Sequence, residues 1–433
     1  MIKRNLFEDL KQHCAQKEIS LIVGPRQAGK TTLMLMLRDY LLTQGSNTLF
    51  LSLDFDSDQP FFTSQRNLVN KIQLEIGKSK GYVFIDEIQR REDAGLFLKG
   101  LYDLNLPYKF IVSGSGSIEL KEKIHESLVG RKRIFELNTV SFNEFVNYKT
   151  DYRYKDSLGS FFALEKDRTR QLLMEYLNFG GYPRLLLAEE QKEKIRIIDE
   201  IYRSYLERDI SYLLRVEKTD AFSDLIKVVA SQIGRLINYS ELSSTLGIAL
   251  QTIKKYLWYA EKTFIMQRIS PFFRNTRKEI TKSPVAYFYD VGLRNYALGL
   301  CGSLIHSPET GFVFQNFVFN LLKEKFLFSP AEIHFWRTKD KAEVDFVIDL
   351  GQQTLPVEVK FKELKKPEIG RSLRSFITRY QPEVAWVINL ELKEKINLDK
   401  TEIHFLPFWD VFATEMGKEN LHLNTKLYEL LSE

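Results

Sequence analysis

Residues 24–31 read Gly24-Pro25-Arg26-Gln27-Ala28-Gly29-Lys30-Thr31 and fill every fixed position of the G-x-x-x-x-G-K-[ST] phosphate-binding loop. Glycines in such a loop let the backbone wrap phosphates, and the amides that open the following helix face the negative charge. On this pattern Lys30 reaches the β- and γ-phosphates of ATP and Thr31 holds Mg2+ through its hydroxyl. Pro25, Arg26, Gln27, Ala28 and Thr32 complete the cradle. A glycine turn before an ordinary helix is the plainer explanation, and the flanking segments argue against it. Ile19-Ser20-Leu21-Ile22-Val23 reads as a buried strand, and residues 32–42 have helical apolar spacing.

A second segment carries carboxylates. Gly81-Tyr82-Val83-Phe84-Ile85-Asp86-Glu87 is an apolar run that ends in two acids. Such a run suits a central strand of a parallel sheet, buried on both faces. Its C-terminal end would emerge beside the phosphate loop, where open α/β sheets place ligands. Asp86 then suits the Mg2+ role and Glu87 the general base that activates water. A strand ending in solvated acids is the alternative, and the preceding phosphate loop weakens it. A third strand, Lys109-Phe110-Ile111-Val112, leads into Ser113-Gly114-Ser115-Gly116-Ser117. Ser113 is a candidate to hydrogen-bond the attacking water or the γ-phosphate, against the reading of a plain Ser/Gly loop. Arg131 lies in Gly130-Arg131-Lys132-Arg133, before the strand Ile134-Phe135-Glu136-Leu137. It is equally an arginine finger, in cis or in trans, and a surface arginine in a basic turn.

Two further patterns lie downstream. Tyr239-Ser240-Glu241-Leu242-Ser243-Ser244-Thr245-Leu246, Gly247-Ile248-Ala249 and Gln251-Thr252-Ile253-Lys254-Lys255-Tyr256-Leu257-Trp258 read as helix, turn, helix, with Ser240 as N-cap. Leu242, Leu246, Ile248, Ile253 and Leu257 would fill its core. Gln251, Thr252, Lys254 and Lys255 fall where base and phosphate contacts are made. Residues 264–269 read as a wing strand, and Arg274, Arg277, Lys278 and Lys282 make the next loop basic. DNA binding and a packing role in an ATPase lid are both open.

The other pattern is a hairpin. Residues 341–350 and 354–361 alternate polar and apolar residues around Gly351-Gln352, which suits a type II′ turn. Pairing outward sets Asp345 opposite Glu358, places Glu343 facing Lys360, and puts Val344, Phe346, Val357 and Val359 on one apolar face. Opposed carboxylates repel, and a divalent metal would remove the conflict. A cross-hairpin pair of Lys360 with Glu343, with both acids facing water, is the structural alternative. Residues 360–379 are basic, through Lys362, Lys365, Lys366, Arg371, Arg374 and Arg379. Such a run tracks a phosphate backbone or forms a solvated helix face.

The segments GPRQAGKTT, FIDEIQR, IVSGSGS, GRKRIFEL and SFNEF together resemble the AAA-type prokaryotic P-loop ATPases that carry a C-terminal domain of unknown function. The resemblance continues through Gly180-Gly181-Tyr182-Pro183, Tyr205-Leu206-Glu207-Arg208-Asp209-Ile210 and Asp290-Val291-Gly292-Leu293-Arg294. It implies a five-stranded parallel ATPase core, helical and winged-helix parts, and a C-terminal part similar to restriction-endonuclease-like folds. In such nucleases Asp345, Glu358 and Lys360 would match the D…E-x-K constellation, with Mg2+ on the acids and the lysine positioning water. Residues 311–318 look like the first helix of that fold, with Gln315 where the family commonly has Glu. Glu207, Arg208 and Asp209 are a candidate contact to the nucleotide domain, or a solvated helix face.

The expected fold class is therefore α/β: a P-loop NTPase parallel sheet, a helical and winged-helix module, then a C-terminal α/β restriction-endonuclease-like domain. The boundaries fall at 1–148, 149–233, 234–283 and 284–433. The chain has 433 residues, a net charge of +5 and two cysteines, Cys14 and Cys301. That length suits two to four domains, and the mild charge does not by itself indicate nucleic acid. The sparse cysteines and the absence of a signal peptide or membrane-length apolar run lead to a cytoplasmic expectation with no membrane partner. Two functional classes follow, both using ATP and Mg2+. One is an ATP-driven switch acting on DNA; the other is an ATP-gated regulatory or assembly protein with a protein partner. A homo-oligomer is compatible with either.

Overall fold

The computed structural model describes residues 2–115, 128–204, 219–273, 283–304, 307–327 and 329–413. Within the first part, apolar runs without alternation become strands buried on both faces. β1 (Ile19–Gly24), β2 (Thr48–Ser52), β3 (Gly81–Asp86), β4 (Tyr108–Ser115) and β5 (Lys132–Glu136) form one parallel sheet in the order β2-β3-β4-β1-β5. Leu21, Val23, Ile85 and Val112 face one apolar layer with Leu98 and Leu101. Ile22, Phe84 and Ile111 face the other, with Leu33 and Leu37 of the helix Lys30–Thr43. The strand–loop–helix expected around the phosphate motif is present, and the α/β class holds.

Helices then dominate, from Phe142–Lys149 to Thr219–Ser231. The helix Phe142–Lys149 opens with a full capping box: the Ser141 side chain accepts from the Glu144 amide, and Glu144 reaches back to the Ser141 amide. The helices Tyr239–Leu246 and Leu250–Lys262 flank Gly247, whose φ of 62° closes the first. The N-cap is Asn238, not Ser240. Asn238 takes an extended backbone, and its side chain accepts from the amides of Ser240 and Glu241. Leu242, Ile253 and Leu257 are buried as expected, with Leu246 and Ile248 partly so. β6 (Met266–Ile269) and β7 (Val285–Phe288) pair antiparallel, so the boundary expected at 283/284 falls inside a hairpin.

β8 (Glu332–Arg337), β9 (Glu343–Asp349), β10 (Thr354–Val359), β11 (Val384–Asn389), β12 (Glu394–Leu398) and β13 (Thr401–Pro407) form a mixed sheet in the order β12-β13-β11-β10-β9-β8. The helix Thr310–Lys325 covers one face through Phe314 and Phe317, against Phe346, Ile348 and Val357. The helix Arg371–Tyr380 covers the other through Leu373, Phe376 and Ile377, against Val344 and Val347. The core under Thr310–Lys325 runs without a break into the central helices; the Phe142 ring lies 5.5 Å from Phe317 and 5.6 Å from Phe408. Among the described residues no helix is long and apolar enough to cross a membrane.

The hairpin register is the expected one. Thr354 pairs with Asp349 and Val357 with Phe346, which puts Glu358 opposite Asp345 at the next position. Gly351 supplies the positive φ, 84°, and the Leu350 amide donates to the Gln353 carbonyl at 2.9 Å. One expectation fails on β9. Its pairing with β8 steps from His334–Val347 to Trp336–Val344, a bulge with three residues of β9 against two of β8. The bulge breaks the alternation, so Val344 joins Val347 on the Arg371–Tyr380 side while Phe346 stays opposite.

Candidate functional site

The phosphate loop is held from below by close backbone approach. A Cβ on Gly24 would lie 2.0 Å from the Leu137 carbonyl oxygen, directly after β5. Gly29, at φ 94°, turns the chain into the helix Lys30–Thr43. Lys30 is buried, and its Nζ donates to the carbonyl oxygens of Pro25 at 2.8 Å and Gly24 at 3.2 Å. The ammonium thus sits in the curl of the loop, where phosphate oxygens would take over from those carbonyls. This cradle fits the triphosphate of a nucleotide.

The fit extends to Mg2+. Thr31 Oγ1 donates to Asp86 Oδ2 at 2.8 Å, so the two candidate Mg2+ groups from β3 and the loop already meet. Ser113 Oγ donates to the other oxygen of Asp86 and accepts from the Glu87 amide at 3.2 Å. Ser113 is fully buried, and its hydroxyl is committed to these two groups rather than aimed at a phosphate. Ser113 thus ties Asp86 to the Glu87 backbone here, and a direct bond to water or the γ-phosphate would need this hydroxyl to turn away from them. Glu87 takes a left-handed backbone, φ 57° and ψ 42°, unusual outside glycine and a local strain of about 1–3 kcal/mol. That turn carries the carboxylate off the strand end, where it accepts from Gln89 Nε2.

Arg131 lies elsewhere. Its carbonyl accepts from the Ile19 amide, at the start of β1, whereas the phosphate loop follows the end of β1. The arginine pairs with Asp103 at 2.8 Å. A cis finger is excluded by the length of the strand between them; a surface arginine in a basic turn, paired with Asp103, fits this position, and a trans finger is the other reading left. The segment containing Glu207, Arg208 and Asp209, the basic residues Arg274, Arg277, Lys278 and Lys282, and Gly116-Ser117 lie outside the described residues.

Two arginines at the loop went unseen in the sequence. Arg4 donates to the Ala28 carbonyl within the loop at 3.0 Å, to the Asn138 and Thr139 carbonyls at 2.7 and 3.1 Å, and to Glu144 at 2.9 Å. It pins the loop to the segment after β5. Arg184 reaches Gln27 Oε1 at 3.3 Å and Glu200 at 2.9 Å, and the neighbouring Pro183 lies 3.8 Å from a Cβ placed on Gly29. The turn Gly180-Gly181-Tyr182-Pro183 thus abuts the cradle. Nothing local in either stretch carries a phosphate signal, so only the tertiary fold reveals them.

The acidic pair of the C-terminal sheet forms a second cluster. Gln315 Nε2 donates to Asp345 Oδ1 at 2.9 Å and to the Tyr287 hydroxyl at 3.0 Å. The Val359 amide donates to Asp345 Oδ2 at 2.7 Å. Lys360 pairs with Glu358 at 2.5 Å, and Glu343 with Arg337 at 3.0 Å. The alternative Lys360–Glu343 pair is absent, because β9 and β10 part beyond Val357 and β8 supplies Arg337 instead. Glu358 is buried, and its Oε2 has no hydrogen-bond partner. Among the described residues no three His, Cys, Asp or Glu side chains gather as a metal set, in keeping with Gln315 at the third position.

Burial, with the Glu358 charge beside it, pushes the Asp345 carboxyl from the ordinary 3.8 up to about 7, against the pull of the Val359 amide and Lys360. A raised folded value means the folded chain holds a proton that the unfolded chain has lost between about pH 4 and 7. Stability from this group is full below that window and is lost as pH rises through 7. Asp345→Asn removes the titration. Its melting temperature relative to wild type is expected to rise between pH 5 and pH 8 in calorimetric scans; a pH-independent difference would contradict the assignment.

Gln251, Lys254 and Lys255 are exposed on the helix Leu250–Lys262, with Thr252 half-buried and Ile253, Tyr256 and Leu257 turned inward. Lys254 and Lys255 lie 5.9 and 5.7 Å from the Tyr239 and Tyr259 ring centres. The four candidates share the outer side of one helix.

Residues 16–146 match the model of an AAA domain. Residues 170–303 and 310–410 match two domains of unknown function, DUF8612 and DUF4143. An uncharacterized protein of Mycobacterium tuberculosis is 27% identical over 88% of this chain and 78% of its own length. One from Haemophilus influenzae is 26% identical over 84% of this chain and 87% of its own, and one from Methanocaldococcus jannaschii 24% over 93% and 89%. Among solved structures, the replication initiator DnaA bound to AMPPCP and single-stranded DNA aligns over 60% of this chain and 90% of its own, at 14% identity and a TM-score of 0.29. The chain carries an AAA-type P-loop domain followed by a C-terminal domain of unknown function.

Proposed function

We propose that this chain is an ATP-hydrolysing switch whose C-terminal half acts on DNA. The observation that carries the ATPase reading is the convergence of Thr31, Asp86, Ser113 and Glu87 beside the buried Lys30. The loop amides and Lys30 bind the β- and γ-phosphates; Thr31 and Asp86 would hold Mg2+, which neutralises phosphate charge when bound. Ser113 fixes Asp86 and the Glu87 backbone. Glu87 takes the proton of the attacking water. Arg131 acts in trans, from the opposite end of a neighbouring protomer's sheet. The helices Tyr239–Leu246 and Leu250–Lys262 with the β6–β7 hairpin form a winged helix whose exposed lysines meet phosphate.

Lys30→Ala tests the nucleotide reading. A fluorescent ATP analogue is expected to lose at least about tenfold in affinity, the loss of one charge-assisted contact. Equal affinity would reject the cradle. An ATP-gated protein with a protein partner takes over if the wild type binds ATP but no DNA at low salt.

The unpartnered Glu358 Oε2 beside Asp345 supports a second reading, in which the pair holds a divalent cation for phosphodiester cleavage. Labelled DNA incubated with Mg2+ or Mn2+ checks it. Cleavage by wild type and none by Asp345→Ala is the expected pattern; no cleavage by wild type removes this reading and leaves the ATPase untouched.

A further inference from the structure

Residues 360–379 hold seven Lys or Arg and two Glu, a surplus equal to the net +5 of the whole chain. Several surface cations elsewhere find carboxylates, among them Lys71 with Glu75, Arg184 with Glu200, Arg268 with Glu261 and Lys395 with Glu402. Here Lys360 takes Glu358, and Glu363 is drawn off by Arg170. Lys362, Lys365, Lys366, Arg371, Arg374 and Arg379 are exposed and have no carboxylate in pairing distance among the described residues. Six like charges held together, with Glu368 as the one acid left among them, repel one another, which is a cost to the folded state that a polyanion would relieve.

The placement of these charges is ordered. The helix Arg371–Tyr380 contains no acid, and it buries Leu373, Phe376 and Ile377. Arg371 and Arg374 are therefore neighbours on its outer side, one turn apart. Its N-cap is Gly370, where a Cβ would lie 2.8 Å from Glu358 Oε1, and Ser372 Oγ accepts from the Glu343 amide at 3.1 Å. The basic row thus begins against the acidic pair; the same Cβ would lie 3.3 Å from Glu358 Oε2, the buried oxygen that has no partner.

We propose that the loop after β10 and the outer side of the helix Arg371–Tyr380 hold the phosphate backbone of duplex DNA, and lead it past Asp345 and Glu358. This rests on the DNA reading above and moves the principal contact away from the winged helix. Arginine forks suit phosphate oxygens, and helix spacing suits one strand of backbone. Binding to a duplex through phosphates weakens with salt by about 0.9 log unit per contact for each log unit of salt.

Anisotropy of a labelled duplex over a salt series tests the assignment on the full chain. The variant Arg371→Gln with Arg374→Gln and Arg379→Gln is compared with Lys254→Gln plus Lys255→Gln, melting temperatures being recorded for both. The triple variant is expected to lose at least about tenfold in affinity and about 2–3 from the salt slope, with a melting temperature no lower than that of the wild type. The lysine variant is expected to change less. A wild-type slope in the triple variant, or loss confined to the lysine variant, overturns the surface while the DNA reading stands. No duplex affinity in the wild type at low salt overturns both. Tighter binding of an RNA strand of the same sequence overturns the duplex assignment.

Discussion

Glu87→Gln is expected to lower ATP turnover by about 10²–10⁴-fold, the range of a positioned general base, and to leave nucleotide affinity within about twofold. The geometry separates the two effects. Thr31 and Asp86 hold each other at 2.8 Å without Glu87, and Ser113 bonds Asp86 and the Glu87 amide, not its carboxylate. The substituted amide retains an oxygen that accepts from Gln89, so the turn after β3 keeps its shape. Single-turnover phosphate release beside analogue binding reads both quantities. Unimpaired release would remove Glu87 from the chemistry, and lost binding would mean that the residue builds the cradle.

Gly24→Ala is expected to be the most damaging small substitution in the nucleotide domain. The added Cβ would fall 2.0 Å from the Leu137 carbonyl oxygen and 3.0 Å from its carbon. Both are backbone atoms, and the Leu137 amide donates to Val23 at 2.8 Å, so neither side can give without breaking the β1–β5 edge. The cost is about 3 kcal/mol or more, at the high end of overpacking. Gly45→Ala is the comparison: φ is 72° but nothing lies within 4 Å, and the conformational cost is about 1 kcal/mol. Urea unfolding should rank the two variants widely apart; similar midpoints would contradict the close approach.

What could be read from the sequence was what lies in one stretch of chain. The phosphate loop and the Asp86-Glu87 strand end are local patterns on elements with clear period, and the hairpin turn fixes the Asp345–Glu358 register by counting. What needed the fold was distance. Arg131 stands just before β5, and in a sheet whose strands all run one way such a residue must sit at the end away from the loops. Arg4 is a lone arginine near the N-terminus, and only the return of residues 138–144 beneath the loop gives it a role. The bulge on β9 has no residue signature, so strict alternation misplaced Val344. The N-cap expected at Ser240 lies two residues too late: Asn238 and Ser240 are both good N-cap types, so residue type alone does not separate them.

Phosphate release from ATP by the unmodified chain, with Mg2+ and with EDTA in its place, tests the central claim most directly. The account predicts steady release in Mg2+ that stops in EDTA and is saturable in ATP. Tight analogue binding with no release at any protein concentration, with or without duplex DNA, would contradict it.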